Sequence, residues 1–467
     1  MLTQLLLAVN GYGFGTAEYA ELKDRMDTLS RQTQSNKTAG SDPASHMPDA
    51  VKYESAVSSA MARMMDGLQA FGMVGYTPIT QKALSQTYIA LVEAGQYWGQ
   101  AYHFAPDLPR QCYAANCVVG SPAIWVACVQ MLPEFDLERA VGKGCAGLRS
   151  NLEAYDFDLV HAESKSMGVA IDLDLYGYNE HGVLLWSGDV ETAKAGWRKQ
   201  IECRKKMEAL VQRGERTWGE YSFEELVYGP GVHLSGAMLA AGEMGMVRDL
   251  IPHTFMGIAL RDPLVASELE KTVRAHGFSW QGPDGYCYWR VETIMLQARA
   301  LVAVVDDGEV DTKALRAWLP RPDELIYIAE HEFHSCTYAS GAAHPALLCA
   351  ALYGTRLGAW DDAEAIVNGV LAIPPMGDGK GFCMEPLVRI EAWRLLARCR
   401  GACGKADGAC EALEHAARES RAVGYVWMEA EALRDMLRWV AGDAEEATVQ
   451  MRISAVTSNF VIGNGTR

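Results

Sequence analysis

Four short segments of one form, each lying between two stretches of helical periodicity, constrain the fold of this chain most strongly. In each, a glycine is followed five residues later by an alanine, with at least one acidic residue between them. Glycine readily takes the left-handed conformation that ends a helix, and acidic residues favour the start of the next one. Repetition of this turn predicts an array of helical hairpins. The segments are 187–193, 357–363, 403–409 and 441–447.

The rest of the chain favours helices and gives little sign of strands. Thr77-Pro78 and Ser121-Pro122 have the form of helix starts, an N-cap residue followed by proline. No alternating β-branched run is followed by an Asn-Gly or Asp-Gly turn. We therefore predict an all-α fold, an irregular α-α superhelix built from helical hairpins. The expected divisions are a short N-terminal segment at 1–30, a flexible linker at 31–49, an irregular helical-repeat region at 50–335, a more regular repeat region at 336–457 and a frayed tail at 458–467.

The repeat region at 336–457 resembles the tetratricopeptide-repeat family, most closely between residues 340 and 450. Its first unit matches the family's small, turn and closing positions with Ala351, Gly358, Trp360, Ala363 and Pro375. Its second unit does so with Trp393, Ala397, Gly404, Ala409 and Ala416. The alanines at the small positions are expected to be buried where paired helices meet. The spacing departs from the family's 34 residues, because Ala363 and Ala409 are 46 positions apart and an insert lies at 373–381.

Charge and cysteine usage exclude several classes of function. The chain has 42 Lys and Arg against 59 Asp and Glu, a net charge of −17. That charge argues against nucleic acid and against an anionic membrane surface as partners. No window approaches 18 uninterrupted apolar residues, and the N-terminus lacks the features of a signal peptide. Because the 12 cysteines form no Cys-x-x-Cys pair and many lie in apolar stretches, free thiols and a cytoplasmic location are expected.

Linear motifs for catalysis or cofactor binding are missing from the sequence. There is no Gly-x-Ser-x-Gly elbow and no His-Glu-x-x-His. The Gly-Lys pair at 379–380 lacks the hydroxyl residue and the preceding strand of a P-loop. Asp172 and Asp174 would point apart on a helix, so they are not expected to form a general acid–base pair. We therefore expect no cofactor and no catalytic residue.

One segment is rich in residues that could bind a metal. His331 and His334 are three residues apart, so they could share a helix face, and Cys336 and His344 follow. Together they could give zinc four nitrogen or sulfur ligands, although the spacing matches no standard zinc module. The alternative is a polar helix end followed by a loop, in which a histidine near the helix C-terminus interacts favourably with the dipole.

These observations favour a non-enzymatic scaffold or adaptor that binds other proteins or peptides. Two alternatives stay open: a regulatory helical-repeat fragment of a larger signalling protein that carries a cyclase or ATPase module, and a helical enzyme whose site shows no linear motif. In the repeat register the first helix of each unit lines the concave surface. Its exposed positions would include Arg356, Arg394 and Arg398, which suit a partner bearing carboxylates. Alternatively, these arginines pair with neighbours such as Glu391 or simply face solvent.

Overall fold

The computed structural model describes ten segments of the chain and a few single residues between them. The segments are 48–70, 81–107, 188–221, 234–277, 291–308, 311–331, 340–373, 386–422, 425–440 and 442–458. No strand longer than an isolated bridge occurs in these segments. No helix within them has the length and apolar character needed to cross a membrane.

Sixteen α-helices lie in the described segments. In chain order, α1 to α8 are Asp49–Ala70, Gln81–Phe104, Val190–Gln212, Ser235–Ala240, Met244–Leu250, Phe255–Ala259, Pro263–Gly277 and Val291–Val305. The remaining eight, α9 to α16, are Thr312–Trp318, Pro322–His331, Ser340–Leu357, Trp360–Ala372, Pro386–Ala402, Ala406–Ala422, Val426–Met436 and Asp443–Thr457. Short 3₁₀ turns lie at Trp218–Glu220 and Ile251–His253.

The helices from α8 onward pack as a two-layer array. One layer contains α8, α11, α13 and α15, and each of these helices contacts the next one in the layer. The other layer contains α10, α12, α14 and α16, each of which packs against a helix of the first layer. A continuous core runs from α3 to α16, so the predicted all-α solenoid of helical hairpins is confirmed. Helices α1 and α2 pack together over a separate core that contains Tyr53 and Trp98.

The predicted glycine turns are present at all four places. Gly188, Gly358, Gly404 and Gly442 have φ angles of 92°, 67°, 75° and 136°. Residues other than glycine rarely adopt these φ angles. Each glycine lies directly before a helix of the array or, for Gly188, before α3. The local sequence therefore fixes where the chain reverses.

Small residues fill the contacts between paired helices, as the repeat pattern predicts. Ala363, Ala397 and Ala409 are fully buried. Ala351 is the exception, because it is only half-buried on α11. The described cysteines at 203, 349, 399, 403 and 410 are free thiols, which agrees with the expectation from their scatter.

Adjacent units are also joined by polar contacts. Arg389 of α13 donates from Nε to both carboxylate oxygens of Glu419 on α14, at 3.1 and 3.0 Å. Its Nη1 donates to the carbonyls of Leu371 and Ile373 at the C-terminal end of α12. One arginine thus satisfies helix-end carbonyls of one unit while it pairs with an acid of the next, which fixes the angle between α12 and α13 across the predicted insert.

Candidate interaction surface

One side of α13 faces away from its neighbours and carries charge. Glu391, Leu395, Arg398 and Ala402 follow one another at helical spacing, and we call them the Arg398 face. Arg398 and Ala402 are exposed, and Glu391 and Leu395 are half-buried. The opposite side of α13 is packed: Trp393 stacks on His415 of α14 with ring centroids 4.3 Å apart. The Arg398 face is therefore the side of α13 that is left open to a partner.

The charged groups of this face are partly desolvated although water reaches them. Burial raises the pKa of Glu391 to about 7, against the opposing effect of Arg394 and Arg398. The pKa of Arg398 is lowered, first by burial and then by the nearby charge of Arg394. Arg398 is nevertheless exposed, so its charge can be reached from the solvent.

Neither charge on this face has a partner in the described part of the chain. The Arg398 guanidinium and the Glu391 carboxyl make no hydrogen bond and no ion pair there. On the neighbouring α15 the cations are already paired: Arg434 binds Glu431, and Arg438 lies 3.6 Å from Asp435. A partly desolvated charge without a partner gains when a ligand supplies the opposite charge.

The prediction that Arg394 is exposed is wrong. Its side chain is buried, and it donates from Nε and Nη2 to Oδ2 of Asp435 on α15 at 3.0 and 2.8 Å. Glu431 lies 4.0 Å away. Arg394 and Arg398 are four residues apart, but Arg394 lies at the edge of the helix face that packs on α15. Its role is therefore to join α13 to α15, and its partner is Asp435 rather than Glu391.

Arg356 lies on α11, a different helix from the other two arginines. It is half-buried near the end of α11, and its Nη2 donates to the carbonyl of Asp306, just beyond the last residue of α8. A cation at a helix C-terminus satisfies free carbonyls there and interacts favourably with the dipole. Of the three arginines expected to bind a partner, Arg398 alone is exposed and without an ion pair among the described residues.

Glu391 and Leu395 were not predicted from the sequence as members of this surface. A signal for them was present, since residues 391, 395 and 398 have the i, i+4, i+7 spacing of one helix face. The sequence could not tell which face of α13 stays open, because that depends on where α14 and α15 pack. Glu391 was therefore predicted only as a possible ion-pair partner of the arginines.

The histidine and cysteine segment does not assemble a metal site in the described residues. His334 and Cys336 lie outside the described residues. His331 is the last residue of α10, and its side chain is not among those described. His344 is buried, and its Nδ1 lies 3.2 Å from Nε2 of Gln297 on α8. Its Nε2 faces Gly236 of α4, where an added Cβ would approach it to 3.5 Å. His344 is thus a core residue among α4, α8 and α11, and no cluster of three potential ligands occurs in the described part of the chain.

The burial of His344 predicts acid sensitivity. Burial lowers its pKa from the ordinary 6.5 to about 4, so the folded protein keeps it neutral while the unfolded chain takes up a proton below pH 6.5. Its contribution to stability is complete above pH 6.5 and is lost as the pH falls from 6.5 to 4, by about 1.4 kcal/mol per pH unit. Denaturant titrations at pH 7 and pH 5 should show a smaller loss in His344→Leu than in the wild type. An identical loss in His344→Leu and in the control His415→Gln would contradict this assignment.

Comparison with known proteins gives no family for the chain. No protein-family model matches it, and no curated protein does. Among solved structures it matches a "circular tandem repeat protein with novel repeat topology and enhanced subunit contact surfaces". That match has 13% identity, covers 98% of this chain and 95% of the other, and has a TM-score of 0.27. A likeness at that TM-score supports no conclusion, so the assignment as an all-α solenoid depends on the helices and their contacts alone.

Proposed function

We propose that this protein is a non-enzymatic scaffold of tetratricopeptide type that binds other proteins or peptides in the cytoplasm. The observation that carries the proposal is the exposed guanidinium of Arg398, which forms no hydrogen bond or ion pair with any described residue. The glycine turns before α12, α14 and α16 and the buried Ala363, Ala397 and Ala409 support the repeat type. The free thiols among the described cysteines suit a reducing compartment.

The partner's contribution at Arg398 is a carboxylate. A guanidinium presents a planar fork of donors that matches the two oxygens of a carboxylate. On a chain of net charge −17, an exposed cation that no described residue pairs attracts an acidic partner locally, while the rest of the surface repels it. That combination favours recognition at one place over general adhesion.

Reversing the charge at Arg398 tests the proposal. Arg398→Glu should stay folded, because the Arg398 side chain is exposed and forms no hydrogen bond or ion pair with a described residue. It should nevertheless lose most of its partners in affinity purification with mass spectrometry from the cell that makes it. The wild-type partners should also fall off as salt rises from 50 to 500 mM, since exposed charge contacts are screened.

The matched control is Arg321→Glu, which reverses an exposed arginine at the start of α10, away from α13. It should keep the wild-type partner set. A folded Arg398→Glu protein that keeps the same partners as Arg321→Glu would contradict the proposed role of this surface.

A further inference from the structure

The Arg398 face presents two opposite charges with an apolar side chain between them. Arg398 and Glu391 are seven residues apart on α13, so their Cα atoms are separated by about 10 Å along the helix axis. Leu395 lies between them and is half-buried, which leaves apolar surface open to contact. No ion pair joins the two charges, although each acts on the pKa of the other, and neither forms a hydrogen bond or ion pair with another residue in the segments that the structure describes.

We propose that this face binds an internal segment of a partner chain. The segment carries a basic and an acidic side chain on either side of an apolar one. The acid binds Arg398, the apolar residue contacts Leu395, and the base binds Glu391. An extended chain advances about 3.3 Å per residue and its side chains alternate between two faces, so the three residues that meet this surface lie at alternate positions and the two charged ones are four positions apart in the partner. This inference rests on the proposed function and adds the second charge, the spacing and the internal position of the segment.

Charge complementarity favours this occupant over a purely acidic one. A second carboxylate at the position of Glu391 would meet a group of the same sign, whereas an ammonium or guanidinium there would replace the water that burial has removed. The charges that act on Glu391 are those of Arg394 and Arg398 on its own helix. Glu431, Asp435 and Arg438 on α15 act on or contact these two arginines. Arg394 and Arg438 are paired with Asp435, so Glu391 is the carboxyl left to receive a partner's cation.

A displayed library of random decamers provides the test. The decamers are embedded between constant linkers, so that no displayed segment ends in a free carboxylate. Selection on the wild-type protein at pH 8 should enrich at least tenfold for a Lys or Arg and an Asp or Glu four positions apart with an apolar residue midway between them. Glu391→Gln should remove the enrichment of the base but keep that of the acid, and Arg398→Gln should do the reverse. Arg452→Gln, which changes an arginine of α16 that pairs with Glu414, should select as the wild type does.

Acidification separates the two contacts within one protein. Because the pKa of Glu391 is about 7, its carboxyl is neutral at pH 5.5, while an acidic side chain bound to Arg398 stays ionised. Selection at pH 5.5 should therefore lose the base and keep the acid. Enrichment of the acid alone at pH 8 would overturn this inference and leave the proposed function standing. No enrichment on the wild-type protein, or the same sequences selected by all the variants, would overturn both.

Discussion

Replacing Gly257 by alanine is expected to destabilise the protein by about 3 kcal/mol, at the upper end of the range for overpacking. Gly257 lies in α6, directly after the 3₁₀ turn Ile251–His253. A Cβ there would lie 1.9 Å from the carbonyl oxygen of Ile251 and 2.8 Å from its carbonyl carbon. Both are backbone atoms, so no side-chain rotation can relieve the contact. The turn and α6 would have to separate.

That separation would also break the cap of α6. The Thr254 hydroxyl donates to the Ile251 carbonyl at 2.7 Å and accepts from the Gly257 backbone N–H at 3.1 Å. Phe255, Met256 and Ile258 around it are buried in the main core, so a shift of α6 disturbs packing as well. Thermal unfolding followed by circular dichroism should show a melting temperature several degrees lower.

The matched control for this change is Gly245→Ala in α5. A Cβ at that position meets nothing within 4 Å, and alanine is favoured over glycine in a helix by about 1 kcal/mol. The control should therefore melt at or slightly above the wild-type temperature. If Gly257→Ala melted together with Gly245→Ala, the close approach between α6 and the preceding turn would be wrong.

The contrast between Gly257 and the turn glycines shows what the sequence could predict. At Gly358 and Gly404 the requirement is local, since a reversal between two helices needs a left-handed residue, and neighbouring residues mark the place. At Gly257 the requirement comes from a carbonyl six residues earlier that an irregular turn brings close. No periodicity or motif encodes that approach, so Gly257 could not be singled out from the sequence.

The same distinction explains the outcome for the candidate surface. Helical spacing correctly placed Arg394 and Arg398 near one another on α13, but spacing within one helix does not reveal its neighbours. Asp435 is 41 residues beyond Arg394 and reaches it only because α15 packs on α13. The two arginines therefore have different roles, and a variant that removes both would mix a loss of folding stability with a loss of binding.

Arg394→Ala is accordingly expected to act on stability. Removing the guanidinium leaves the carboxylate of Asp435, which is 13% exposed, with Arg438 as its described cationic neighbour at 3.6 Å. Breaking a buried ion pair from one side costs about 3–5 kcal/mol, and the residual exposure of this pair places the expected loss near the lower end, at about 3 kcal/mol. Urea unfolding followed by circular dichroism should show a lower midpoint.

Two further variants test whether the ion pair between Arg394 and Asp435 joins α13 to α15. Arg434→Ala removes an exposed partner of Glu431 on α15 and should cost less than about 1 kcal/mol. The double variant Arg394→Met, Asp435→Leu removes both charges together, so it should recover most of the stability lost in Arg394→Ala, because no unpaired carboxylate remains between the helices. If Arg394→Ala unfolded at the same urea concentration as Arg434→Ala, the ion pair would not join α13 to α15, and Arg394 would again be a candidate for contact with a partner beside Arg398.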